Sequence, residues 1–230
     1  MLNLFKNFYK ENKFLSILMS VTFVLILTTG IYFKQDALKM FPLFVSLVIM
    51  LLSANVNRYA LLLGSINSLI YCYYYYTTQL YSTLAYAILI SFPLQLIAFI
   101  NWHKNSEGSI TELKKMTKKQ ILMTTALCVI SWILLYVIFS IFASPYIIIE
   151  NSATLLGVLI TVLTMLRFSE YATLQLLNGF INVVLNISIM MNGDLTNITY
   201  LIFSVYSYIC LIMAFIRMHK THPNIIVKAK

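Results

Sequence analysis

The sequence predicts an all-α integral membrane protein of eight transmembrane helices, arranged as one, three, one and three, with two parallel three-helix bundles. Three observations carry that expectation. Of the 230 residues, 60% are hydrophobic and only 10% are charged, a composition far from that of a soluble domain. The apolar residues gather into eight runs, at 14–33, 41–55, 59–76, 83–102, 121–142, 152–167, 171–191 and 199–217. Most are long enough to cross the hydrocarbon as helices, and none alternates as an outer-membrane barrel strand does. The chain also repeats itself, at an offset that spans four of these runs.

The first run follows Lys6, Lys10 and Lys13, but it is long and lacks a small-residue cleavage site, so it reads as a retained helix rather than a signal peptide. With eight crossings, fourteen of the sixteen lysines and arginines fall on one side and only Lys34 and Lys39 on the other. Basic residues near a membrane are retained in the cytoplasm. The expectation is therefore a multi-pass plasma-membrane protein with both termini cytoplasmic. The formal charge of +9 then reflects topology and attraction to anionic lipid headgroups, not nucleic-acid binding.

The repeat sets the internal boundaries. The fourth run closes on IAFINWHK, 97–104, and the eighth on MAFIRMHK, 213–220, an offset of 116. One helix earlier, GSIN at 64–67 matches GFIN at 179–182, an offset of 115. An even number of crossings between copies gives them the same orientation, related by an axis near the membrane normal. The division is 1–36, the N-terminus and an added helix; 37–104, the first bundle; 105–145, a loop and a connecting helix; and 146–230, the second bundle and C-terminus. The loop HKNSEGSITELKKMTKKQ reads as a solvated topology signal. Cys72, Cys128 and Cys210 lie inside apolar runs, where thiols act as small hydrophobes and suggest neither disulfides nor a metal site.

The seventh run carries the candidate site. At 100° per residue, Gln175, Asn178, Asn182 and Asn186 fall within an arc of about 80°, with Asn182 at its middle. An amide facing lipid would lack partners, so the stripe faces other helices or a wet cavity. Interhelical hydrogen bonding is the plainer use of any one such amide; four on one face favour a cavity. In the repeat, Asn67 holds the position of Asn182 and Tyr71 that of Asn186. Gln95 is a further buried amide, two residues after Pro93, whose missing N–H loosens the helix. The run Tyr73 to Tyr76 and Trp102 read as residues of the membrane boundary.

The seven acidic residues, Glu11, Asp36, Glu107, Glu112, Glu150, Glu170 and Asp194, all fall in loops or at helix ends. The expected mid-membrane region therefore holds no ionisable group, which disfavours proton coupling. No nucleophile and base set, ligand cluster or phosphate-binding glycine loop is present, so no enzyme, metal or cofactor is expected. A neutral, hydrogen-bonding substrate moving down its gradient fits this inventory.

At this level the chain resembles the PnuC family of vitamin transporters. The segment Gly64-Ser-Ile-Asn67-Ser with a tyrosine-rich helix end and Leu80-Tyr81, the close Ala98-Phe99-Ile100-Asn101-Trp102, Glu170-Tyr171 and Asn192-Gly193-Asp194-Leu195 carry the resemblance. It implies a SWEET-like arrangement of bundles and a facilitator importing nicotinamide riboside or a related vitamin or nucleoside, trapped afterwards by a separate kinase. It also implies that Asn178 to Asn186, Asn67 and Gln95 bind the ribose and base, and that the protein forms trimers. The chain has Ala98-Phe99 where the family tends to a Gly-Trp pair, and Tyr171 and Leu174 in place of tryptophans. Deoxynucleosides, thiamine and riboflavin stand as alternative cargoes, and a non-transport structural subunit as the alternative role. Sugar facilitators of similar plan carry a proline and glutamine signature early in each bundle, whereas Pro93-Leu94-Gln95 lies in another helix.

Overall fold

The computed structural model describes residues 13–55, 57–104, 106–107, 110–111, 113–141, 146–220 and 226–228. Lys6, Lys10 and Lys230, counted above for orientation, and the acidic residues Glu11 and Glu112 lie outside them. The fold is a helical membrane fold. Six helices are long and apolar enough to cross a bilayer by length and composition, namely Lys13–Tyr32, Tyr81–Lys104, Lys118–Ser140, Ile147–Met165, Tyr171–Met191 and Leu195–Met218; Ala37–Ser53 is a shorter apolar helix.

In chain order, α1 is Lys13–Tyr32 and α2 is Ala37–Ser53. Asp36 starts α2, its carboxylate accepting from the Leu38 N–H at 3.0 Å, which satisfies one of the donors a helix start leaves open. That bond, helped by the Tyr73 hydroxyl, holds the Asp36 carboxyl below the usual range. The third apolar run is interrupted at Tyr71, giving α3, Tyr59–Ile70, and α4, Cys72–Thr77. The fourth contains α5, Tyr81–Tyr86, a π turn at Ala87–Ser91, and α6, Phe92–Lys104. Pro93 accounts for the π turn. Its ring cannot donate to the carbonyl four residues back and crowds it, and the helix widens so that the Phe92 N–H reaches the Ala87 carbonyl, five residues back.

Two short strands, β1 Ser106–Glu107 and β2 Ile110–Thr111, pair antiparallel; β3, Leu113–Lys115, pairs parallel with the C-terminal β4, Ile226–Lys228. Helix α7, Lys118–Ser140, opens with a capping box between Thr117 and Gln120 and buries none of its residues, as suits a helix apolar all round and surrounded by lipid. Then follow α8, Ile147–Met165, α9, Tyr171–Met191, a 3₁₀ turn at Leu195–Asn197, and α10, Ile198–Lys220.

Helix α3 packs on α2 and α6; α9 packs on α8 and α10. The two sets meet where α6 touches α8 and where α10 touches α2, while α1 lies against α10 and α2 and α7 lies against α8. The glycines of the repeat do the same work in each set. A Cβ on Gly64 would collide with Gln95 Oε1, and one on Gly179 would sit 2.9 Å from Leu211 Cδ1. Gln95 and Leu211 are themselves 116 apart, so each glycine admits the matching residue of the next helix.

Three sequence expectations change. Trp102 does not present its ring to lipid as a belt residue would: it is buried, its indole N–H donates to the Thr164 carbonyl at 2.8 Å, and its ring meets Tyr171 edge-on. Within the tyrosine run, Tyr73 and Tyr76 are exposed, but Tyr74 is buried and stacked on Tyr200 with 3.8 Å between ring centres. The basic loop is not simply solvated. Leu113 is 1% exposed, packed with Trp102, Leu163 and Met218, and β3 docks on the α8–α9 turn through Lys114 N–H to the Arg167 carbonyl at 2.7 Å and Ser169 N–H to the Lys114 carbonyl at 2.8 Å.

Glu150 sits at a helix end, as expected, yet is 1% exposed. Its Oε1 accepts from the backbone N–H groups of Ser82 at 2.9 Å and Thr83 at 3.2 Å, so a carboxylate on α8 caps α5. Glu150→Ala leaves both donors without this acceptor inside the protein, and should destabilise it by about 1–3 kcal/mol. Glu150→Gln, which keeps an oxygen there, should lose less. Thermal unfolding in detergent tests this, and equal melting of parent and alanine variant would remove the capping role.

Candidate functional site: a central polar cavity

Between the two sets of helices lies a cavity of about 410 Å³, within the range of small-molecule sites. All seven residues singled out above line it: Asn67, Tyr71 and Gln95 from α3 and α6, and Gln175, Asn178, Asn182 and Asn186 from α9. Their hydrogen bonds differ, however, and those differences divide their roles.

Asn67 is 3% exposed and holds helices together. Its amide nitrogen donates to the Pro42 carbonyl at 3.1 Å and to Ser46 Oγ at 2.7 Å, and Ser46 shares a 3.0 Å bond with the Tyr71 hydroxyl. Because a carbonyl can only accept, the bond to Pro42 fixes which end of the amide is nitrogen. Asn67 Oδ1 is left buried without a partner among the described residues, as is Asn178 Oδ1. The α9 stripe is arranged otherwise. Asn182 donates to the Asn178 carbonyl and Asn186 to the Asn182 carbonyl, each at 2.8 Å, so these amines fold back on their own helix. Asn186 Oδ1 accepts from Asn197 at 2.9 Å, whereas Asn182 makes no hydrogen bond to another helix among the described residues. Gln95 donates to Ser91 Oγ at 2.6 Å. Gln175 lines both this cavity and a smaller one of about 50 Å³ below it, toward Trp102, Tyr171 and Met218.

Further wall residues escaped the sequence reading. Thr154, Gly157, Thr161 and Thr164 of α8 all face the cavity; their spacing of three, four and three marks one helix face, a signal that was available. Tyr86 and Ser91 also line it, but no regular period reveals them. Tyr86 and Gln95 are nine residues apart, about 180° in a regular α-helix; the π turn takes up the difference and brings both to the cavity. No lysine, arginine, histidine, aspartate or glutamate is among the lining residues, and no group of three metal-ligating side chains occurs among the described residues.

A membrane-embedded helical fold enclosing an uncharged polar cavity of small-molecule size defines a class, the membrane transport proteins with a central binding cavity. The chain belongs to the nicotinamide mononucleotide transporter family, PnuC, whose model matches residues 36–217. A crystal structure of the vitamin B3 transporter PnuC is similar, with a TM-score of 0.67 at 20% identity, covering 91% of this chain and 93% of that one; at that identity the likeness is one of fold. No curated protein sequence matches.

The bonding pattern separates two variants. Asn67→Leu removes the bonds to Pro42 and Ser46, and should lower stability by about 1–3 kcal/mol. Asn182→Leu should leave the melting temperature near the parent's and weaken ligand binding. Melting curves with and without ligand read both effects, and a stable Asn182→Leu protein that binds as the parent does would take Asn182 out of the site.

Proposed function

We propose that the protein is a facilitator that imports nicotinamide riboside or a closely related nucleoside-like vitamin. The observation that carries this reading is the lining of the cavity, which offers amides, hydroxyls and tyrosine rings and no charged side chain. A phosphate brought there would lose its hydration with no cation to meet it, at a cost of several kcal/mol, whereas ribose hydroxyls and a carboxamide find matching partners and the pyridinium cation of the riboside finds the faces of tyrosine rings such as Tyr71 and Tyr86. The family description names a mononucleotide; the chemistry of this lining favours the dephosphorylated nucleoside. The vitamin B3 cargo of the similar crystal structure points the same way.

The arrangement belongs to the same proposal. Eight crossings divided one, three, one and three, with 37–104 and 146–230 as parallel bundles, are supported by the paired contacts of α6 with α8 and of α10 with α2 and by the matched glycine pairs. Both termini lie in the cytoplasm of a plasma-membrane protein, as the lysine and arginine distribution indicates. Transport is uniport, since no charged group lines the cavity, and phosphorylation by a separate kinase retains the cargo. The assembly is a homotrimer in anionic lipid.

Ligands that bind only the folded protein raise its melting temperature with affinity and concentration. Nicotinamide riboside should stabilise the purified protein, and nicotinamide mononucleotide at the same concentration should not. Thiamine, riboflavin and deoxynucleosides complete the panel. A shift with the mononucleotide equal to that with the riboside would overturn the argument from the uncharged lining, and silence across the panel from folded protein would favour a structural subunit.

A further inference from the structure

Among the cavity walls, Tyr86 is held at both ends. Its hydroxyl crosses from α5 to α8, where it lies 3.1 Å from the Gly157 carbonyl oxygen and 2.8 Å from Thr161 Oγ1. Thr161 Oγ1 itself donates to the same carbonyl at 2.8 Å. These three oxygens share two protons, and since a carbonyl only accepts, the hydroxyls of Tyr86 and Thr161 supply both. The far end of the ring is thereby fixed to the opposite set of helices. Its near end is fixed by the backbone, because Tyr86 is the residue just before the π turn. Gly157 supplies the seat. A Cβ there would lie 3.1 Å from Tyr86 Cζ and 3.3 Å from both Cε1 and the hydroxyl oxygen, closer than carbon atoms pack at their optimum. The ring already rests against the α8 backbone, so a larger ligand cannot push this wall back.

We propose that Tyr86 determines which ring systems the cavity admits, with Gly157 as its positioning residue, so that one-ring nucleoside-like ligands fit and three-ring ligands are refused. The proposal rests on the substrate reading above and adds the residue pair that sets its limit. Because the constraint is steric, it runs in two directions. Shortening Tyr86 widens the cavity, and a methyl on Gly157 drives the ring into it. Removing the ring then makes that methyl harmless.

The test measures affinities of nicotinamide riboside and riboflavin by titration calorimetry on the purified full-length protein. Parent, Tyr86→Ala, Tyr86→Phe, Gly157→Ala and the Gly157→Ala/Tyr86→Ala double variant are compared, with melting temperature as the folding control. Tyr86→Ala should shift the ratio of affinities toward riboflavin by about tenfold or more, the scale on which steric pockets discriminate. Tyr86→Phe should keep the parent's ratio at a lower melting temperature. Gly157→Ala should weaken riboside binding by about tenfold, and the double variant should recover the affinity of Tyr86→Ala alone, a rescue that a merely structural role would not give. Parent protein that binds neither ligand overturns the substrate reading and this proposal together. Parent protein that binds riboflavin as tightly as the riboside, an unchanged ratio in folded Tyr86→Ala, or a Gly157→Ala loss that persists in the double variant overturns this proposal alone. Should Tyr86→Ala not fold, Gly157→Ala decides: riboside binding equal to the parent's refutes the seat.

Discussion

A polar group within a membrane must find its partner inside the protein, and most of this architecture follows from where those partners are. The helices satisfy their own backbones; the side chains of Ser, Thr, Asn, Gln and Tyr are what remain to be placed. Some are answered locally, as Asn182 and Asn186 are by the carbonyls of their own helix. Others are answered across helices, as Asn67 is by Pro42 and Ser46. Those answered across helices fix the packing. The cavity collects both kinds, Asn67 as well as Asn182 and Asn186, which is why a wall of amides can persist in so apolar a chain.

The same constraint joins the two sets of helices. On one side the Tyr86 hydroxyl reaches the Gly157 carbonyl; on the other the Tyr206 hydroxyl donates to the Leu47 carbonyl at 3.1 Å. In each case the last helix of one set sends a tyrosine to the backbone of the first helix of the other. The two contacts are not equal, however. Only the α5–α8 side adds a buried carboxylate, Glu150, together with Thr154, whose hydroxyl lies 2.9 Å from that of Ser82. The α2–α10 side relies on Tyr200 donating to the Lys39 carbonyl and on Arg217 bonding Asn55. The two sides are thus joined by unlike polar partners although the repeat would make them alike.

Much of this was legible in the sequence, for identifiable reasons. Gln175, Asn178, Asn182 and Asn186 lie on an uninterrupted helix, Tyr171–Met191, so the 3.6-residue period places them on one face without knowledge of anything else. Asn67 and Tyr71 followed from the repeat. What escaped depends on tertiary contact or on a departure from helical period. Tyr86 is misplaced by a regular count because of the π turn, which only the later Pro93 hints at. Trp102 and the tyrosines resemble boundary residues by position, and only packing shows Trp102 and Tyr74 to be buried. Glu150 was correctly placed at a helix end, but its burial depends on α5 arriving beside it. Leu113 is one apolar residue in a basic loop, and periodicity gives no weight to a single side chain.

Aromatic contacts between the two sets of helices also lie near the cavity. On the Asp36 side, Tyr74 stacks on Tyr200 and donates to Asn197 Oδ1 at 2.9 Å. On the basic side, Trp102 donates to Thr164 beside Tyr171, with Leu113 packed behind. Each of these contacts pairs an aromatic residue of the first set of helices with residues of the second. The polar stripe of α9 bonds chiefly to its own backbone. Asn186 is the exception, since it is tied to Asn197, the residue that also receives the Tyr74 hydroxyl. That chain, from Tyr74 through Asn197 to Asn186, connects the Tyr74–Tyr200 stack to the α9 stripe by two hydrogen bonds, so one stretch of the cavity wall is held by the same partners that join the two sets of helices.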